Sequence, residues 1–289
     1  MNDKLNPQWV RGSIFYDREQ WGKLLGEAIF PFIDSEKELI NTYYVHLEVS
    51  PRDHIKLTMK STEPGNTELE SRFLDYMDQY LLDNPSEAVH TQHNFYPNNT
   101  AWVNQYNESD FYLADDERGF DYIREKIADA LRQLAVDTID TSSMYTFIFY
   151  LQLGLLKANY TDVNQLKAEI DLITTSLKAQ YKDPSKFINA TTNKVGKQFF
   201  TSNKEILIEI IDDIWGELHY NPDLQWLGEW IEACKYFIKD ANFTASFILI
   251  SRLVYDSLGL MNNKLLPLSL QIITSAFNEK AKYQISIKH

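Results

Sequence analysis

The chain has 289 residues with 41 acidic and 28 basic side chains, a formal net charge of −13, so it lacks the broad positive field of a general nucleic-acid or anionic-membrane binder. Its 44% hydrophobic and 24% charged residues are those of an ordinary globular protein, enough for one large or two modest cores, which excludes a disordered chain. A single cysteine, Cys234, excludes an intrachain disulfide and any multi-cysteine metal site, and ten scattered glycines form no P-loop, no strand-borne GxGxxG and no GxSxG elbow. No metal and no cofactor is therefore expected. The opening MNDKLNPQWVRG has no apolar core of signal-peptide length and no later run approaches a membrane span, so a cytoplasmic protein without direct nucleic-acid contact is expected.

In chain order, WVRGSIFY (9–16) predicts a strand. EQWGKLLGEAIFPFI (19–33) predicts a helix, with Trp21, Leu24, Leu25, Ala28, Ile29 and Phe32 on one face. YYVHLEVSPRDHIKLTMK (43–60) then alternates as a hairpin. Val45 and Leu47 share one face with Ile55, Leu57 and Met59, while Tyr44, His46 and Glu48 share the other with His54, Lys56, Thr58 and Lys60. Parity fixes the register, because a four-residue loop would pair Val49 with His54 and mix the faces. The consistent pairing is Glu48 with His54, His46 with Lys56 and Tyr44 with Thr58, across a five-residue loop or with a bulge around Pro51. It creates a strip of His46, His54, Lys56 and Lys60 with Glu48 as internal counter-charge. Such a strip is either the solvated outer face of an antiparallel sheet or a ligand site.

TELESRFLDYMDQYLLD (67–83) predicts an amphipathic helix that stops before Asn84-Pro85, and HTQHNFYP (90–97) a further strand. After a polar, aromatic connector containing Trp102 and Tyr106, GFDYIREKIADALRQLA (119–135) is again helical. Beyond about residue 140 the segments read as helices, near 142–158, 162–180, 203–219, 223–239, 243–260 and 264–281. A long polar linker, 182–203, is expected between the second and third of these. The fold class is thus α+β: an N-terminal antiparallel or mixed sheet with packed helices over 1–138, followed by an all-helical half over 139–289. Cys234 reads as a packing residue, His90-x-x-His93 and His219 as structural histidines, and Lys194 with Lys197 as loop lysines that could hold a carboxylate.

The order of these segments resembles the C-terminal domain of lantibiotic dehydratases, a domain also found alone in thiopeptide-type bacteriocin biosynthesis proteins. WVRGSIFYDREQWGKLLGEAIFPFI matches that family's Trp-led strand and proline-ended helix. YYVHL stands at its F-F-I-R-Y strand and HIKLTMK at its H-[IL]-R-L-R strand, while FYPNNTAWVN, anchored on Pro97, stands at Y-E-P-E-x-E-R-Y-G-G. His46 takes the arginine position of the first strand. Lys56 and Thr58 take the two arginines of the second, and Ala101 that of the loop. The family's H-M-x-x-N-R-L helix aligns either with SRLVYDSLGL, placing Tyr255 at the histidine, or with SLGLMNNKL, placing Leu260 there.

The resemblance implies β-elimination of glutamate from glutamylated Ser or Thr in a ribosomal precursor peptide, after a separate glutamylating dehydratase subunit has attached it. That reaction is a lyase step needing a base, cationic donors for the leaving carboxylate and stabilisation of the developing negative charge. On this reading His46, Lys56 and Tyr255 are catalytic, and His54, Lys60, Arg252 and Lys264 bind substrate. Lys56 serves as the base if no acid pairs with it, whereas Glu48 would keep it charged. Two alternatives follow from the same resemblance. One is a pyridine-synthase-like reaction on a dehydrated peptide; the other is a non-catalytic subunit that binds precursor peptide or partner protein, for example at a sheet edge.

Overall fold

A computed structural model describes residues 9–50, 52–63, 67–87, 96–106, 120–135, 139–160, 162, 165–183, 187–188, 190–217, 221–239, 242–260 and 264–286. The fold is α+β, and the chain divides into two compact units, Met1–Met144 with Asp256–Gly259, and Tyr145–Tyr255 with Leu260–His289.

The first unit is built on an antiparallel sheet in the order β2-β3-β1-β4, from β1 (Trp9–Phe15), β2 (Ile40–Glu48), β3 (His54–Ser61) and β4 (Thr100–Tyr106). The hairpin has the register that parity requires: Glu48 faces His54, His46 faces Lys56 and Tyr44 faces Thr58. Val10, Ile14, Val45, Leu47, Ile55, Leu57 and Met59 form one fully buried face. Short helices α1 (Trp21–Leu24) and α2 (Phe30–Ser35), joined by a π turn at Leu25–Ile29, supply apolar cover together with α3 (Glu68–Asp83). In α3 the residues Leu69, Phe73, Met77 and Leu81, four apart, make its buried stripe, and Phe73 meets Phe32 edge to face at 5.5 Å.

The opposite sheet face is not a solvated one. Trp9, Phe15, Tyr44, His54 and Thr58 on it are all buried. Helix α4 (Phe120–Leu131) runs beside the outer strand β2, with three acids at four-residue spacing meeting three consecutive hydroxyls of the strand. Tyr44 Oη donates to Asp121, Thr42 Oγ1 to Glu125 at 2.6 Å, and Tyr43 Oη to Asp129. The helix thereby covers a strand that would otherwise expose its backbone groups.

Two expectations are corrected. The segment read as a connector holding Trp102 is the strand β4, while the strand expected over 90–97 falls mostly outside the described residues; Tyr96 and Pro97, which are described, precede β4 and are not strand. Its alternation is hard to see because the outward row carries Trp102 beside Thr100 and Asn104, with an aromatic where a polar residue would mark the pattern. The linker expected over 182–203 is helical from residue 190, where α7 (Ala190–Asp212) begins. Its polarity belongs to the outer face of a helix whose inner side seats Gly196 against Leu268 of α10 (Leu265–Ser286). Asn203, with φ −121° and ψ 16°, kinks α7, and its side-chain amide donates to Phe199 O at 2.9 Å.

The second unit is formed by most of α5 (Thr141–Asn159), then α6 (Leu166–Ala179), α7, α8 (Gln225–Ile238), most of α9 (Phe243–Ser257) and α10. Cys234 is fully buried in α8, where burial pushes its thiol pKa well up, so it is an inert packing group. Among the described residues no helix is long and apolar enough to cross a membrane.

Candidate functional site

Sheet register places four partly accessible residues in one row across the second face: His46 on β2, Lys56 on β3, Ser13 on β1 and Trp102 on β4. At a strand spacing of about 4.8 Å the row spans on the order of 14 Å. Exposure rises from 18% at the His46 side chain to 50% at Trp102, whose indole N–H donates to Thr100 Oγ1 at 3.2 Å. Ala101, which the resemblance aligns with an arginine, lies opposite Ile14 and so belongs to the apolar face. Trp102 is the β4 residue in the row.

The charges around this row are paired. Lys56 Nζ donates to Glu48 Oε1 at 2.5 Å, so the acid-free environment that would free the amine to act as a base is not present. His46 Nε2 lies 3.6 Å from Asp256 Oδ2. The adjacent His46 imidazole, then the charges of Arg124 and Lys56, hold the Asp256 carboxyl below its ordinary range, against the opposing effect of burial. Arg124, buried on α4, stands over the Tyr44 ring at 5.7 Å.

Asp256 is placed by the way α9 ends. Leu260 N–H donates to Tyr255 O at 2.8 Å and Gly259 N–H to Asp256 O at 2.9 Å, the two bonds of a Schellman motif, with Gly259 at φ +65°. Leu47 O lies against the bare Cα of Gly259, which brings the segment beside β2 next to His46.

The rest of the predicted strip separates from this pair. His54 is 2% exposed, its Nδ1 lies 2.6 Å from Arg52 O, and its ring stacks on Phe15 at 4.9 Å, which in turn stacks on Tyr96 at 5.0 Å. Burial chiefly depresses its pKa, so it is a neutral imidazole inside an aromatic stack. Lys60 Nζ lies 5.3 Å from the centre of the Trp9 ring.

The depressed His54 pKa carries a pH prediction. The folded state resists the proton that the unfolded state accepts below about pH 6.5, so the contribution is complete above that pH and is lost as pH falls through the folded value. Urea unfolding midpoints should fall between pH 7.5 and pH 5.5 by more in the wild type than in His54→Phe, which keeps a ring in the stack and does not titrate. Equal falls would show that His54 does not carry the effect.

The candidates from the helical half lie in the second unit. Tyr255 is buried, receives Gln152 Nε2 at 2.9 Å and shares a hydrogen bond with Ser269 Oγ at 2.9 Å; burial raises its pKa strongly. Its hydroxyl is thus engaged in a polar network of that unit's interior. Arg252 is exposed and donates to Gln180 Oε1 at 2.9 Å, and Lys264 is exposed. Lys194 and Lys197 are exposed on α7, whereas His90, His93 and His219 lie outside the described residues. Among the described residues no group of three or more His, Cys, Asp or Glu side chains could hold a metal ion.

Sequence reasoning missed Asp256, Arg124, Ser13 and Trp102. Strand parity could have found Ser13 and Trp102 once β4 was recognised. Nothing local marks Asp256, which pairs with a residue 210 positions away.

No family model matches the chain, and no curated protein matches it. Among the solved structures that do match, the pyridine synthase TbtD from thiomuracin biosynthesis shares the fold with a TM-score of 0.63 at 13% identity, over 94% of this chain and 98% of that one. TsrL matches with a TM-score of 0.53, also at 13% identity, over 95% of each chain. At this identity the likeness is one of fold, and it extends through both units of the protein at nearly full length.

Proposed function

We propose that this protein matures a ribosomally made peptide of the thiopeptide type, acting on a dehydrated precursor peptide in the manner of a pyridine synthase. The observation that carries this reading is the likeness to TbtD over almost the whole of both chains. Building a pyridine ring from two dehydroalanine units joins their carbon chains in a ring, and the adduct becomes aromatic by losing water and then the N-terminal peptide segment as its carboxamide. It calls for groups that pass protons and for a surface that orients two chain segments. The row from His46 to Trp102 offers an imidazole backed by a carboxylate and, across the sheet, an exposed indole.

Glutamate elimination is the second reading, favoured by the matched order of segments from Trp9 to Lys60. It is the weaker one. Holding a leaving carboxylate by two parallel bonds requires a guanidinium, and the matched positions carry His46, Lys56, Thr58 and Ala101, with Lys56 already paired to Glu48. On that reading the separate glutamylating subunit is a partner. On the first, the dehydrated precursor peptide is the substrate.

Mass analysis after incubation with two model peptides separates the readings. Loss of water together with release of the N-terminal segment as its carboxamide from a peptide bearing two dehydroalanines, with a new aromatic absorbance, supports the first. Loss of glutamic acid from a peptide bearing a glutamylated serine supports the second. Binding of either peptide with no mass change supports a non-catalytic subunit and refutes both.

A further inference from the structure

We infer that His46 and Asp256 form an acid–base dyad in which His46 exchanges a proton with the bound peptide and Asp256 is its positioning residue. This inference rests on the proposal that the protein modifies a peptide.

His46 is placed by the sheet. It lies near the end of a strand whose register is fixed by an eight-residue ladder, and its side chain is four-fifths shielded but not sealed. The ring is therefore held by β-sheet pairing while one edge stays within reach of a ligand. Its neighbours in the row are Lys56 and, one strand further, Ser13; neither is an acid that would compete for the ring.

Asp256 completes the arrangement from outside the sheet. Its Oδ2 faces His46 Nε2 at 3.6 Å, a separation that one small movement would close to a full hydrogen bond and that leaves Nδ1 as the ring nitrogen for substrate. The carboxylate counters the positive charge that the ring acquires while it holds the proton. When the proton is returned, the dyad regains its starting state, so the step is balanced without a further reactant. The Schellman end of α9 fixes Asp256, since Gly259 allows that segment to approach β2 at Leu47 O.

The other charged groups around the pair are accounted for. Lys56 of β3 is neutralised by Glu48 of β2, and Arg124 of α4 helps to keep Asp256 ionised. With those charges paired, the imidazole is the side chain of this cluster that presents a ring nitrogen for proton exchange. An ion pair of purely structural value here would contribute only about 0.2–1 kcal/mol, because Asp256 is 48% exposed. The fixed end of α9 suits a role for Asp256 in orienting the ring.

The test uses the full chain with the two model peptides described above. In His46→Gln the turnover number should fall about 100-fold with KM within about 3-fold of wild type. Asp256→Asn should lower turnover about 10-fold at unchanged KM, and Asp256→Glu should recover much of it. An independent readout is the titration of the Asp256 carboxyl by NMR in His46→Gln, whose midpoint should rise toward the ordinary aspartate value. Wild-type turnover in His46→Gln would overturn the dyad while leaving the proposed function standing. Wild-type protein that converts neither peptide would overturn the proposed function and the catalytic role together. An Asp256 midpoint that does not move would overturn the pairing itself, whatever the activity.

Discussion

Replacing Gly259 with alanine is expected to destabilise the protein by about 3–5 kcal/mol, a loss at the upper end for single substitutions. Two costs add. The residue has φ +65°, where a side chain costs roughly 1–2 kcal/mol. The larger cost is steric, since a Cβ there would lie 2.1 Å from Leu47 O and 3.1 Å from Leu47 C. These are backbone atoms of β2, held by the ladder in which Leu47 faces Ile55, so they cannot step aside as a flexible side chain would. Either the strand or the end of α9 must move, and the second alternative carries Asp256 away from His46. Gly228 is the control. Apart from its chain neighbours and the backbone of its own helix, no atom lies within 4 Å of an ideal Cβ there, and it is inside α8, where alanine is favoured by about 0.5–1 kcal/mol. Urea denaturation should show Gly259→Ala unfolding at clearly lower denaturant and Gly228→Ala at equal or higher denaturant. A Gly259→Ala midpoint equal to that of wild type would contradict the close approach.

The sequence was legible where a geometric rule allows few answers. Hairpin parity excluded the four-residue loop, and the observed pairing of His46 with Lys56 follows from side-chain alternation alone. The same rule was silent about what covers the polar row. Asp121, Glu125 and Asp129 look in sequence like the solvated face of an amphipathic helix, yet in the structure they accept hydrogen bonds from Tyr44, Thr42 and Tyr43. A stripe of acids at helical spacing has one signature whether water or hydroxyls face it. His54 illustrates the same limit: its parity put it on the polar row, and only the neighbouring Phe15 and Tyr96 rings make it a neutral core histidine. The stretch from 190 to 203 reads in sequence as a polar linker because Lys194, Lys197, Gln198, Thr201 and Ser202 fall on the exposed side of α7. The pairing of His46 with Asp256 depends on a contact across most of the chain, for which a single sequence provides no periodic signal.

The other large effect is expected at Gly12, where the sheet has no side chain of its own. A Cβ at this position would fall 2.2 Å from Phe73 Cζ and 2.4 Å from Cε1, so the Phe73 ring occupies the space in which an alanine methyl would stand. Phe73 is fully buried and wedged against Phe32, which leaves the ring little room to rotate away. Gly12→Ala should therefore cost about 3 kcal/mol, the upper part of the range for overpacking. The mechanism differs from that at Gly259, because the obstacle here is a side chain that can be exchanged. Phe73→Leu alone removes packed atoms and should cost about 1–2 kcal/mol. In the Gly12→Ala background it also frees the space the methyl needs, so the double variant should be at least as stable as Gly12→Ala alone. That corresponds to a favourable coupling of about 1–3 kcal/mol in a double-mutant cycle. Strictly additive losses would mean that the methyl and the ring do not compete for one space, and that Gly12 is required by the backbone rather than by the aromatic side chain beneath it.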